Sequence, residues 1–181
     1  MIPNLSKSSI KAQDKSLTHL YRIRLLDAAA VDWDALREAW ASVSGATLNR
    51  AIPTLDTATD KAWHTVDCKG NTVTVSVAPG EAPANGVATV SGVVEGINET
   101  TLAWAYDMQG REVVAVIERC ADGKQFIFAN PCTGGVTFQY QTIGSQDGNT
   151  AGISFNLTGI ECPKPMLVYA PASGDTNDEE E

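Results

Sequence analysis

The residues in this sequence equipped for chemistry are few and scattered. His64 and Cys68 stand four positions apart, a spacing a metal could use. A structural zinc site, however, needs four ligands, usually as two close pairs. Cys120, Cys132, Cys162 and His19 are too dispersed to complete one. The acidic positions Asp32, Asp34, Asp56, Asp60 and Asp122 could suggest calcium binding or acid–base work. Asp32 and Asp34 are better explained by a helix start, where negative charge suits the dipole, and Asp122 by a turn. A general acid also needs a partner and a cleft, which the sequence does not provide. Ser145-Gln-Asp-Gly-Asn149 has the composition of a phosphate or calcium loop but reads as a hairpin loop. There is no G-x-S-x-G, no P-loop and no His beside a Cys or Ser in a catalytic signature. The expectation is no catalytic residue, no cofactor site, no metal site and no enzyme. Of the four tryptophans, Trp33 and Trp40 belong to an apolar helix stripe; Trp63 and Trp104 are left as candidates for a glycan platform.

The elements that would position such groups are mostly strands. Arg111–Glu118, Gln125–Phe128, Val136–Ile143 and Ile153–Thr158 are rich in β-branched and aromatic residues, and turn residues bound them. Val136, Phe138 and Tyr140 alternate with Thr137, Gln139 and Gln141, and Ile153, Phe155 and Leu157 with Ser154, Asn156 and Thr158. These are half-buried antiparallel patterns. Upstream, Leu17–Leu26 reads as a strand, with Leu20, Arg22 and Arg24 on one face and Tyr21, Ile23 and Leu25 on the other. Ala29, Trp33, Leu36, Trp40 and Val43 recur at helical spacing, with Gly45 as the stop. Trp63–Asp67, Thr72–Val77 and Val87–Val94 are further strands, separated by Lys69–Asn71 and the loop Pro79–Gly86. A second helix spans Glu99–Met108, capped by Asn98 and ended by Gly110. About eight strands and two helices, most joined by short turns, predict an antiparallel β-sandwich or barrel (mainly β, α+β) with one or two flanking helices.

The chain has 181 residues, enough for one domain that needs no disulfide or metal to be stable. Residues 1–16 are expected to form a mobile arm, 17–170 the β domain and 171–181 a disordered acidic tail. A net charge of −9 with 13 thinly spread basic residues argues against a surface built to hold nucleic acid. No stretch approaches the length of a membrane span, and the first residues lack a signal-peptide core. The chain is therefore expected to stay inside the cell that makes it, and the sequons at Asn98 and Asn156 to be coincidental. If Asp122-Gly123 closes a two-residue hairpin, Cys120 opposes Gln125. Cys132 then lies over roughly 20 Å along the ladder, too far to bridge to Cys120. Reduced, structural thiols are expected.

The order of elements carries a resemblance. Leu20-Tyr-Arg-Ile-Arg24 leads to Val31-Asp-Trp33, then to strands around Gly70, then a helix before Gly110-Arg-Glu-Val-Val114 and Ala121-Asp-Gly-Lys-Gln-Phe126. The closing pair is Gly152-Ile-Ser-Phe-Asn-Leu-Thr-Gly159 and Met166-Leu-Val-Tyr169. From about Leu17 to Tyr169 this pattern resembles the tail tube structural proteins of tailed bacteriophages and prophages. The resemblance implies a virion protein made in the host cytoplasm, whose copies join edge to edge into rings (hexameric in the tail tube) that stack into a tube. It implies contacts with itself and with other tail proteins, and passage of DNA without sticking, which an acidic wall would suit. No cofactor and no membrane partner are implied. The alternative is a ligand- or carbohydrate-binding β-sandwich module using Trp63 or Trp104.

Overall fold

The computed structural model describes residues 21–58, 61–69, 72–129, 131–132, 134–144 and 151–171. The proposed N-terminal arm, the acidic tail, His19, Asp60, the Gly70-Asn71 turn and the Ser145–Asn149 loop lie outside them. In chain order the strands are β1 (Tyr21–Asp27), β2 (Thr47–Leu48), β3 (His64–Val66), β4 (Thr74–Pro79), β5 (Asn85–Glu95), β6 (Glu112–Arg119), β7 (Lys124–Phe128), β8 (Val136–Gly144), β9 (Gly152–Thr158), β10 (Cys162–Pro163) and β11 (Met166–Tyr169). The helices are α1 (Trp33–Ala41) and α2 (Glu99–Met108), and a 3-10 turn covers Ala28–Ala30. The fold is mainly β, as expected.

Strand β6 organises the layers. Along one side it pairs antiparallel with β1 from Val113 to Arg119. Its other side is divided: Ala115–Arg119 pairs with β7, and Glu112–Val113 pairs with β8. From this fork two wings run apart. One continues β7–β11–β2 and, through β1, reaches β3; the other continues β8–β9–β5–β4, with β10 also on β5. The wings face each other. Ile23, Leu25, Ala115, Ile117 and Phe128 from the first meet Val75, Val90, Phe138, Phe155 and Leu157 from the second in one buried cluster. On the far side of the first wing, Leu26, Val114, Val116, Ile127 and Leu167 form a second cluster with Leu36, Ala39 and Trp40 of α1. The molecule is thus helix on sheet on sheet, a three-layer arrangement in which each apolar face is covered.

Local chemistry explains the helices. The Asp32 carboxylate accepts from the Ala35 N–H at 3.1 Å and caps α1, with Asp34 in the first turn. The helix ends at Ala41, short of the expected stop at Gly45. There the Ser42 hydroxyl donates to the Ala39 carbonyl at 2.8 Å and the Val43 N–H to Trp40 at 3.2 Å, satisfying the last turn early. In α2, Asn98 and Thr101 cap each other reciprocally, so its bounds coincide with those expected. Trp104 and Met108 of α2 pack against the inter-wing cluster.

Three expectations need correction. The described residues hold eleven strands, because β2 and β10 are two-residue strands with no periodicity of their own. The sheet is mixed, since β2 runs parallel to β11. The β6–β7 connection is also longer than a two-residue hairpin: Arg119 opposes Lys124 and Glu118 opposes Gln125, so Cys120 is in the loop. Gly123 adopts φ +68°, which L side chains rarely tolerate, and its N–H bonds the Arg119 carbonyl at 2.8 Å to close the wider turn.

Phe138 is fully buried, stacked on Phe155 at 5.2 Å and met edge-on by Trp104 at 5.2 Å. Phe138→Ala should therefore cost about 3–5 kcal/mol in urea unfolding. A loss below about 1 kcal/mol would mean that the wings do not share this core.

Candidate functional site

Among the described residues, those singled out for metal binding are not brought together. His64 is exposed on β3 opposite Leu25. The Cys68 thiol packs toward Gly92, and burial first, then the Asp67 charge, push its pKa up to about 12. A thiol held protonated is a poor metal ligand. Among the described residues, no group of three or more His, Cys, Asp and Glu side chains is placed to hold an ion. Asp34 pairs with Arg37 at 2.8 Å and Asp56 with Lys61 at 3.5 Å, both on the surface.

The tryptophans pack against the two apolar clusters. Trp33 donates to the Ala28 carbonyl at 2.9 Å and Trp40 to the Lys164 carbonyl at 3.2 Å, both against α1's cluster as expected. Trp104, partly buried, meets Phe138 and Phe155 edge-on at 5.2 and 6.3 Å and packs against the inter-wing cluster. Trp63 packs on the second cluster with the Arg24 guanidinium 5.6 Å over its ring. Sequence reading also missed an ion pair between a buried arginine and an exposed aspartate. Arg119 is 1% exposed, and its Nε and Nη2 donate to the two Asp122 oxygens at 2.8 and 2.6 Å. The i,i+3 spacing across the Gly123 turn was the available signal.

What the fold does present is an edge. Strand β4 pairs with β5 through all six residues, Thr74 with Ser91 to Pro79 with Gly86. Among the described residues no strand pairs with its other side. Its sequence, Thr-Val-Ser-Val-Ala-Pro, holds no charge. Val75 is buried, while Val77 is 43% exposed, among the largest exposures of an apolar side chain here. Soluble proteins usually protect such an edge with a Lys, a bulge or a covering loop. Here Pro79 at the end of the strand is the only such device within it.

Both ends of that edge are clamped. At one end the Glu161 carboxylate accepts from the Ala82 and Glu81 N–H groups at 2.7 and 3.0 Å, gripping the β4–β5 connection. Those amides, Ala82 first, hold its carboxyl below the usual carboxylate range. A Cβ at Gly80 would meet the Glu161 side chain, so a larger residue there would displace that carboxylate. At the other end the Lys69 N–H donates to the Val93 carbonyl at 2.7 Å, and the Thr72 hydroxyl accepts from the Val93 N–H at 3.2 Å. The strand between these clamps is bonded to β5 on one side and, among the described residues, unpaired on the other.

The surface leading from this edge is also uncharged. On the outer face of the second wing, Ser76, Thr89, Thr158 and Thr137 lie in one cross-strand row, and Thr74, Ser91, Asn156 and Gln139 in the next. In a chain of net charge −9, eight neighbouring positions without a charge form a distinct surface. Among the described residues, no helix is long and apolar enough to cross a membrane. No protein-family model, curated protein or solved structure matches the chain.

The Arg119 hydrogen bonds, as the main cause, hold Asp122 down at about 2 against an ordinary 3.8. A carboxyl depressed on folding contributes stability above its unfolded pKa and loses it as pH falls toward the folded value. Melting temperature should accordingly fall between about pH 4 and pH 2 more steeply in the parent than in Asp122→Asn, and the variant should be the less stable at neutral pH. Parallel acid profiles for the two proteins would contradict the pairing.

Proposed function

We propose that this chain is a non-enzymatic structural subunit that assembles with copies of itself, of the kind that builds the tail tube of bacteriophages. The observation that carries the reading is the clamped and uncharged edge of β4, unpaired among the described residues, with Val77 exposed along it. An edge with outward amides is a template for another strand. Like-charged copies repel over most of their surface, so an uncharged edge is the place where two of them can meet at low electrostatic cost. The three-layer β fold and the order of its elements agree with the resemblance to tail tube proteins.

The same charge distribution suits a conduit. An acidic particle with an uncharged sheet face offers phosphates no counter-charge, so DNA can pass without being held. In this reading the partners are further copies and other tail components, and the finished protein resides in the virion after synthesis in the host cytoplasm.

Electron microscopy and light scattering of the purified full chain test the proposal. Rings or tubes should appear as concentration rises, and added salt should favour them by screening repulsion between copies. Val77→Lys, which places a charge on the edge, should raise the concentration needed for assembly by about tenfold or more, or about 1.4 kcal/mol per contact. A monodisperse monomer up to millimolar concentration, in low and high salt alike, would overturn the reading.

A further inference from the structure

The β4 edge is held from two strands away. Pro79 of β4 and Cys162 of β10 both oppose Gly86 of β5, and so lie on its two sides. Glu161, the residue before Cys162, reaches back across this junction to the connection that follows β4. There its carboxylate accepts from the Ala82 N–H at 2.7 Å and the Glu81 N–H at 3.0 Å. The Asn85 side chain, at the head of β5, bonds it as well. A Cβ at Gly86 would stand 3.2 Å from Val77 Cγ1 and 3.3 Å from Pro165 Cγ, so the exposed edge residue packs directly on the same junction. One carboxylate thus ties together the starts of β10 and β5 and the end of β4.

The donors aimed at Glu161 are N–H groups, which bond an ionised carboxylate about twice as strongly as a neutral acceptor. Its charge is therefore what closes the clasp. Other titratable groups are few here. The Glu81 carboxylate is exposed on the clasped connection and carries the same charge. Cys162 is a thiol whose pKa burial pushes up to about 11. Strand β4 and residues 85–94 of β5 hold no charge, and Lys164 Nζ is committed to the Val43 carbonyl at 3.0 Å.

We propose that Glu161 is the positioning residue of the β4 edge and makes assembly through that edge acid-sensitive. Ionised, it holds the strand where a second copy can pair with it; protonated, it releases the Ala78–Pro79 end beside Val77. This rests on the reading of β4 as the strand where copies meet. The Ala82 amide first, then Glu81, hold the carboxyl below its ordinary 4.5. A group depressed in this way contributes fully above its unfolded value, and the contribution is lost as pH falls through the folded one. Repulsion between acidic copies runs the other way, since it weakens as carboxylates protonate.

The concentration at which light scattering first detects assembly, followed from about pH 7 to about pH 3 for the parent, Glu161→Gln and Glu81→Gln, tests the inference. Gln at 161 keeps one acceptor but turns an NH2 toward the second amide, so the neutral-pH threshold should rise about three- to tenfold. That gap should close in acid, where the parent's own side chain becomes neutral. Glu81→Gln removes an equal charge and keeps the backbone N–H, so it should assemble at least as readily as the parent. In dilute protein, the Glu81 and Ala82 amides should exchange faster in Glu161→Gln than in the parent at the same pH, which checks the clasp apart from assembly. Equal thresholds for the parent and Glu161→Gln at neutral pH, a gap unchanged in acid, or equal amide protection would overturn this inference and leave the reading of β4 standing. A parent that forms no assembly at any pH would overturn that reading, and this inference with it.

Discussion

Residues Val113 to Ile117 are out of water on both faces, and the arrangement of this protein follows from that. Val113, Ala115 and Ile117 point between the two wings, while Val114 and Val116 point toward α1. A strand buried on both sides must have both its hydrogen-bonding edges filled, because unpaired amides in an apolar layer cost roughly 1–3 kcal/mol each. β1 fills one edge along its length, and β7 and β8 share the other. That sharing makes the fork. A fork gives two wings that can fold toward each other around Phe138 and Phe155, and it leaves each wing with a far end.

The far ends differ in what they offer. The first wing ends in β3 and in β2, strands of three and two residues. The second ends in β4, six residues long and fixed at both ends by Glu161 and by the Lys69–Thr72 segment. Short edges resist pairing with a neighbour; a longer and uncharged one invites it. Net charge separates this surface further, since the carboxylates that make the chain acidic are kept off the strand and off the rows of Ser, Thr, Asn and Gln behind it. Shape and charge therefore single out the same place.

Much of this was legible in the sequence where one residue type dictates one geometry. The alternation of Val136–Tyr140 and Ile153–Leu157 assigns both faces of β8 and β9, and Asn98 fixes the start of α2. The strand nature of β6 was legible too, although an unbroken apolar run does not say which neighbours cover it. Other features depend on partners distant in sequence. β2 and β10 exist only because β11 and β5 hold them. Arg119 reads as a surface charge until Asp122 folds back on it. That Thr74–Pro79 is an edge depends on the strand order, which periodicity does not encode.

We propose β4 as the strand through which copies of this chain meet. Amide hydrogen exchange, measured residue by residue across a concentration series, tests this directly. The amides between Thr74 and Ala78 that are not bonded to β5 should exchange quickly in dilute protein and become protected as assembly proceeds, while those of β6 stay slow throughout. Unchanged fast exchange along β4 in assembled material, with new protection elsewhere, would contradict the account.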